Sequence, residues 1–165
     1  MPDTDTNKLR HWLWITLLVI IVDQLTKLGA EALLNFREPV AVMPMFNFTL
    51  VYNEGAAFSF LSNAGGWQRW FFIVLSSVIS IVLIIWLGRI KVSEKIETLA
   101  IAMILGGALG NLIDRAIYGH VIDFVDWYYK EHHWPAFNIA DSAITVGAIL
   151  LIYNSFKHHD KDTTR

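Results

Sequence analysis

Three aspartates at the edges of apolar segments are the residues of this chain best suited to chemistry. Asp114 ends one apolar run, Asp141 lies near the start of the next, and Asp123 stands among apolar neighbours in Val121-Ile122-Asp123-Phe124. A charge within a membrane span costs about 2.5–3.5 kcal/mol on insertion scales, so such residues are functional candidates by default. If the runs flanking 114–136 are antiparallel helices, the three carboxyls can converge on one site.

Two carboxyls held close together can activate water against an amide. Both cannot ionise cheaply, so one is pushed to hold a proton while the other remains a base, as in an aspartic protease. The chain offers no better catalyst: it has no Cys, its six histidines lie in predicted loops and tails, and its Gly-rich segment lacks the Lys-Ser/Thr of a phosphate loop. These missing motifs predict an enzyme without metal or cofactor.

Asparagines stand three residues before two of the aspartates, in Asn111/Asp114 and Asn138/Asp141. Residues at i and i+3 share a helix face, so both pairs are predicted at the same depth. A structural alternative exists for each. Arg115 could neutralise Asp114 at a helix end, and Asn138 could cap the following helix.

Asp23 and Lys27 interrupt the first apolar run with i, i+4 spacing, so they lie on one helix face and can form an ion pair. A structural role in joining helices is favoured over direct chemistry, since charges within membranes usually pair. Gly106 and Gly110 form a small-xxx-small face, which predicts close approach of another helix.

The composition indicates what positions these residues. Hydrophobic residues make up 55% of the chain and charged residues 17%, against about 25% in soluble domains. The predicted fold class is an all-α membrane protein of four transmembrane helices in one membrane-embedded domain, residues 1–165. The four apolar runs and their helices are predicted at about 12–34, 67–88, 96–113 and 137–156.

Two longer segments connect the helices, one between helices one and two and the other between helices three and four. The segment 35–66 mixes β-branched and aromatic residues between Pro and Gly, which predicts a small extracytoplasmic β-rich domain between helices one and two. The segment 114–136 is predicted to hold a short amphipathic element at the membrane interface. Within it, Asp126 is interpreted as an interface residue beside Trp127, and His132-His133 as a solvated pair.

The distribution of positive charge predicts the orientation. Eight of the thirteen Lys and Arg residues lie in the N-terminal segment, the 89–95 connection and the C-terminal tail. Positive residues favour the cytoplasmic side, so both termini are predicted to be cytoplasmic and the aspartates to lie near the outer face. The net charge of −2 gives no sign of a nucleic-acid partner.

The chain resembles the lipoprotein signal peptidases, the bacterial signal peptidase II family, over about residues 10–156. The resemblance implies an intramembrane aspartyl endopeptidase of the bacterial cytoplasmic (inner) membrane. Such an enzyme removes the signal peptide from prolipoproteins just before a cysteine that carries a diacylglyceryl group. The segments that carry the resemblance are Asp23-Gln24-Leu25-Thr26-Lys27, Tyr52-Asn53-Glu54-Gly55-Ala56-Ala57-Phe58, Gly106 to Arg115, Val121-Ile122-Asp123-Phe124 and Phe137 to Ser142.

The resemblance also implies residue roles. Asp123 and Asp141 would be the catalytic pair, with acid and base unassigned between them. Asp114 is the strongest competitor for Asp123, but it is assigned with Arg115 to supporting the site. The residues expected to hold the substrate backbone are Asn53, Asn111, Arg115 and Asn138, and Asp23 and Lys27 are expected to be structural.

Two other classes of protein remain open on the residues alone. Intramembrane aspartates also serve as proton relays in transporters, although relays are spread through the membrane depth. A non-catalytic membrane adaptor is the second alternative. The expected partners are lipid-modified prolipoprotein signal peptides and membrane lipids, without nucleic acid, and the expected state is a monomer.

Overall fold

Four long helices form the body of the protein, as the predicted fold class requires. The computed structural model describes residues 6–55, 65–91 and 93–163, so residues 56–64 of the predicted β-rich segment and the Ala56-Ala57-Phe58 part of one motif lie outside it. Each helix contains a stretch of 19–23 residues that is long and apolar enough to cross a membrane. The helices are α1 Thr6–Leu33, α2 Trp67–Leu87, α3 Lys95–Ile117 and α4 Ile139–Thr163.

Helix α3 is the centre of the bundle and packs against each of the other three helices. A Cβ atom on Gly106 would lie 3.0 Å from the carbonyl oxygen of Thr16 and 2.7 Å from the Cβ of Val19. A Cβ atom on Gly110 would lie 2.5 Å from Oδ2 of Asp23. The close approach of a helix to this glycine face is therefore confirmed, and α1 is the helix that approaches.

The exterior of the bundle is apolar and its interior is partly polar. Helix α2 exposes large hydrophobic side chains along its length, whereas Asp23, Lys27 and Asp114 are at most 1% exposed. This is the reverse of a soluble domain and fits a protein whose surroundings are lipid. The exposed residues of α2 include Trp70, Val74, Val78, Ile81 and Ile85.

A four-stranded antiparallel sheet covers one end of the bundle. Strands β1 (Val40–Met43) and β2 (Phe46–Asn53) come from the connection between α1 and α2, so the sheet predicted there is present. Strands β3 (Val121–Tyr129) and β4 (His132–His133) come from the connection between α3 and α4, and the strand order is β1-β2-β3-β4.

The prediction of an amphipathic surface element in 114–136 is wrong, because the aromatic part of this segment forms strands β3 and β4 of the sheet. β3 pairs with β2 in a register that places Trp127 opposite Phe46 and Asn53 opposite Val121. Its apolar side chains pack with Ala30 of α1, which fixes the sheet on the helices. The residues of this small core are Ala30, Leu50, Ile122 and Phe124.

Helix α3 ends at Ile117, four residues beyond its predicted end. Its last carbonyls have partners: Arg69 of α2 donates from Nε to the carbonyl of Arg115 at 3.0 Å and from Nη2 to that of Ala116 at 2.8 Å. Carbonyls at a helix end need donors from outside the helix. The extension keeps Asp114 and Arg115 inside the bundle, where Asp114 faces α1 and β3 and Arg115 faces α2 and the segment after β2.

Candidate active site

The predicted ion pair between Asp23 and Lys27 is present and includes a third residue. Lys27 Nζ lies 2.8 Å from Oδ2 of Asp23 and 2.8 Å from Oδ2 of Asp114. The ammonium also donates to Oδ1 of Asn111 at 3.0 Å. Because one buried cation joins two buried carboxylates, α1 and α3 are held together by charge as well as by the glycine face.

The carboxylate of Asp114 is fully engaged. Besides Lys27, it accepts hydrogen bonds from Nε2 of Gln24 at 2.8 Å and from the backbone N–H of Ile122 at 3.2 Å. Gln24 was not among the predicted site residues, although it lies beside Asp23 in the same polar interruption of α1. Within the described residues Arg115 forms no salt bridge with Asp114. The cation that pairs with the Asp114 carboxylate is Lys27, and not Arg115 as the structural alternative for this helix end expected.

Asn138 caps helix α4, as the structural alternative for this residue expected. Its Oδ1 accepts from the N–H of Asp141 at 2.9 Å, and Oδ2 of Asp141 accepts from the N–H of Asn138 at 3.3 Å. A third helix N–H, that of Ala140, donates to Oδ1 of Asp23 at 2.9 Å. This reciprocal capping fixes the direction in which the Asp141 side chain leaves the first turn of α4.

The same asparagine also contacts the other candidate aspartate. Nδ2 of Asn138 donates to Oδ1 of Asp123 at 2.7 Å, so Asn138 contacts both Asp123 and Asp141. Asn53 of β2 donates to Oδ2 of Asp123 at 3.1 Å, and Asn111 of α3 donates to Oδ1 of Asp141 at 2.8 Å. The structure thus brings together two carboxylates and three asparagines from four different elements.

The environment of Asp123 opposes its ionisation. Burial is the main cause, the negative charge of Asp141 is the second, and together they raise the pKa of Asp123 to about 7. Hydrogen bonds from Asn53 and Asn138 act in the opposite direction, because they stabilise the carboxylate. A carboxyl group with such a pKa can hold a proton at the pH at which most enzymes work.

A cavity of about 760 Å³ opens beside this network. Asp141 lines it, whereas Asp123 lies behind the lining and is 2% exposed. Its polar wall includes Asn53, Asn111, Arg115, Asp141, Ser142 and Thr145. Its apolar wall includes Phe72, Trp127, Trp134, Phe137, Ile144 and Val146.

Arg115 closes one side of the cavity. Its Nη2 donates to the carbonyl of Gly55 at 2.8 Å, and its guanidinium lies 5.0 Å from the centre of the Phe72 ring. The residue therefore connects α3 to the segment after β2 and to α2. It is placed to offer N–H groups to a carbonyl or carboxylate in the cavity.

Asp126 and the histidine pair lie outside this site, and the interpretation of Asp126 as an interface residue is corrected. Asp126 is buried, and its carboxylate accepts from Thr49 Oγ1 at 3.1 Å and lies 2.8 Å from Nδ1 of His133. His132 and His133 are exposed, as expected for a solvated pair, but His133 also contacts Asp126. In the described ranges no group of three or more His, Asp or Glu side chains is arranged to hold a metal ion.

Two solved structures that share this architecture are described as bacterial membrane enzymes. One bacterial membrane enzyme, solved by the in meso method at 2.3 Å resolution, superposes with a TM-score of 0.83 at 33% identity, over 92% of this chain and 90% of its own. A second, solved at 1.9 Å, gives 0.76 at 34% identity over 89% and 93%. Fold and site together define the class: a polytopic membrane enzyme with a polar site beneath a small sheet.

Sequence comparison identifies the family within that class. The family model described as Signal peptidase (SPase) II matches residues 15–157, and the chain belongs to this family of peptidases. A lipoprotein signal peptidase of Alteromonas mediterranea is 53% identical over 92% of this chain and 83% of its own length. One from Pseudomonas aeruginosa is 48% identical over 95% and 94%.

Proposed function

We propose that this chain is an aspartic endopeptidase that cleaves prolipoproteins on the N-terminal side of a diacylglyceryl-modified cysteine, with Asp123 and Asp141 as its catalytic pair. The observation that carries the proposal is the pair itself: a buried carboxyl, Asp123, and a half-buried one, Asp141, joined through Asn138 at the edge of a cavity. The names of the relatives support the class of substrate. The apolar wall of the cavity suits a lipid-bearing side chain.

The pair catalyses hydrolysis by sharing one proton. The ionised carboxylate takes a proton from water as the water oxygen forms a bond to the scissile carbonyl carbon, while the protonated carboxyl donates to the carbonyl oxygen. When the tetrahedral intermediate collapses, the C–N bond breaks and a proton passes to the leaving amine. Asp141 lines the cavity, so its carboxyl faces the substrate in either assignment of acid and base.

The charges around the pair favour retention of that proton. Among the residues that the structure describes, the network contains the four carboxylates of Asp23, Asp114, Asp123 and Asp141 and two cations that interact with them, Lys27 and Arg115. Lys27 is already shared by two of the carboxylates. The state of lowest free energy for Asp123 and Asp141 is therefore one charged and one protonated carboxyl.

Asp114 is the competing member of the pair, and its contacts argue against a catalytic role. Its carboxylate lies 2.8 Å from a buried ammonium, accepts two further hydrogen bonds and is 0% exposed, so both of its oxygens are occupied. It does not line the cavity, unlike Asp141. We assign Asp114, with Asp23 and Lys27, to joining α1, α3 and β3 beneath the site.

The asparagines and the arginine have two roles in this proposal: some orient the carboxyl pair and the others contact the substrate. Asn111 and Asn138 orient the two carboxyls through the hydrogen bonds already formed. Asn53 and Arg115 line the cavity and offer donors to the peptide backbone of the signal peptide. Asn53 thus connects the sheet to Asp123 as well as to the cavity.

The proposed setting is the bacterial inner membrane, with both termini cytoplasmic and the site near the outer face. The support is the concentration of Lys and Arg at the termini and in the 89–95 connection, at the bundle end opposite the catalytic pair. Lipid tails of the substrate then remain in the bilayer while the scissile bond reaches the sheet-covered end. The chain is proposed to act as a monomer.

Replacing each aspartate by asparagine tests the proposal. In purified full-length protein, Asp123→Asn and Asp141→Asn should each lower kcat on a lipid-modified precursor about 10²–10⁴-fold, because each removes a proton acceptor or donor. Glu38→Gln, the same change at an exposed carboxylate, should keep wild-type turnover. Wild-type cleavage by both dyad variants would reject the pair. If a folded Asp114→Asn variant were inactive while the Asp123→Asn variant remained active, the catalytic role would pass from Asp123 to Asp114.

A further inference from the structure

A buried carboxylate outside the proposed catalytic pair ties three strands of the sheet together. Asp126 of β3 is 5% exposed, accepts a hydrogen bond from Thr49 of β2, and lies 2.8 Å from the imidazole Nδ1 of His133 in β4. Asn47 of β2 approaches it at 3.4 Å. The proposed mechanism uses none of these groups, so the cost of burying this charge has another reason.

The contact with His133 attaches the short strand β4 to the body of the sheet. The strand contains two residues, and its pairing with β3 consists of Tyr128 with His133 and Tyr129 with His132. The ring of His133 also stacks on Tyr128, with centroids 5.5 Å apart. A strand this short gains little from its backbone pairing, so the side-chain contact to Asp126 is a principal attachment.

Each partner in this contact stands next to a tryptophan of the catalytic cavity. Trp127 follows Asp126, Trp134 follows His133, and the N–H of Trp134 donates to the carbonyl of Trp127 at 2.7 Å. Both tryptophans line the cavity of the proposed active site. Both also line a second trough of about 520 Å³ on the surface of the sheet, which includes Met45. Trp127 and Trp134 thus line both spaces, and together they form the tryptophan wall of the cavity.

We propose that Asp126 and His133 are positioning residues that fix the tryptophan wall of the catalytic cavity and thereby set the affinity for the lipid-bearing part of the substrate. The inference rests on the proposed function, because it takes the cavity to be the substrate site. Neither residue touches the reacting atoms. Their loss loosens Trp134 relative to Trp127 and leaves the carboxyl pair, which is held by Asn53 and Asn138, in place.

The adjacent histidines supply a matched pair of variants. His132 and His133 lie in the same two-residue strand and both are exposed, but only His133 contacts Asp126. His133→Ala should raise KM for a lipid-modified precursor about five- to tenfold with kcat changed less than twofold. His132→Ala should change neither constant. His133→Asn, whose side-chain amide can donate near the position of Nδ1, should restore most of the affinity, and Asp126→Asn should behave like His133→Ala.

A binding measurement separates failure of this inference from failure of the proposed function. Titration of the precursor lipopeptide into Asp123→Asn protein, with and without His133→Ala, should show the same five- to tenfold rise in Kd. If the wild type does not cleave the precursor, the proposed function fails. If it cleaves but His133→Ala and His132→Ala give equal KM and Kd, or if His133→Ala lowers kcat at constant KM, the positioning role is refuted. Restoration by His133→Asn excludes a general loss of fold.

Discussion

Removing one amide beside Asp123 should move the upper limb of the pH–rate profile to higher pH. Asn53 donates from Nδ2 to Oδ2 of Asp123 at 3.1 Å, and this hydrogen bond favours the ionised carboxylate. Asn53→Ala removes the donor while leaving the burial of Asp123 and the charge of Asp141. The proton on Asp123 then becomes harder to remove, so the monoprotonated pair persists at higher pH.

The sign and size of the effect follow from the pKa. The pKa of Asp123 is raised from 3.8 to about 7, so catalysis that needs the shared proton is present below about pH 7 and is lost as pH rises through that value. A hydrogen bond to a charged group is worth about 1.5 kcal/mol, or roughly one pKa unit. The limb should therefore move to about pH 8. At pH 8 the variant should keep about 50% of its own maximal kcat/KM, whereas the wild type should keep about 10% of its maximum.

The assay is the pH dependence of kcat/KM between about pH 5 and pH 9.5, because this ratio reports the ionisations of the free enzyme. The limb gives an apparent value that belongs to the pair rather than to one carboxyl. Asn47→Ala is the matched control, since Asn47 lies on the same strand and its amide faces Asp126 instead. A limb that stays in place or moves to lower pH in Asn53→Ala, or that moves equally in Asn47→Ala, would refute the reasoning.

Two further predictions concern the packing beneath the site, and both are measured by thermal unfolding of detergent-solubilised protein. Gly106→Ala should destabilise the bundle by about 1–3 kcal/mol, because its new methyl group meets α1. Gly29→Ala is the control and should not lower stability, because no atom lies within 4 Å of its new Cβ. Equal melting temperatures of the two variants would contradict the close packing of α1 on Gly106. Lys27→Met should lower the free energy of unfolding by about 3–5 kcal/mol, because it leaves the buried carboxylates of Asp23 and Asp114 without their shared cation. A variant as stable as the wild type would show that the ion network is dispensable.

The sequence predicted the four helices and the glycine face because hydropathy and spacing are local signals. The pairing of Asp23 with Lys27 followed from helical periodicity in the same way. The meeting of Asp123 with Asp141 was predictable from topology, because helices three and four end and begin on the same side. The catalytic roles of these aspartates remain predictions.

The parts that escaped prediction depend on partners distant in sequence. Asp114 and Arg115 looked like a helix end, yet α3 continues past them because Gln24 and Arg69 satisfy polar groups there from α1 and α2. Strand β3 carried a usable signal in the β-branched and aromatic residues of 121–129, which were interpreted as an interfacial element. The contact between Asp126 and His133 depends on a hairpin geometry that residue types alone do not reveal.

The hydrogen bond from Ala140 to Asp23 spans 117 residues of sequence, and this has a consequence for synthesis in the cell. Because α1 is synthesised before α4, Asp23 can pair at once with Lys27 of its own helix but gains the N–H of Ala140 only after α4 has been made. Asp141 belongs to that same later helix. Under the proposed mechanism, hydrolysis therefore requires α1 and α4 to have met in the bilayer.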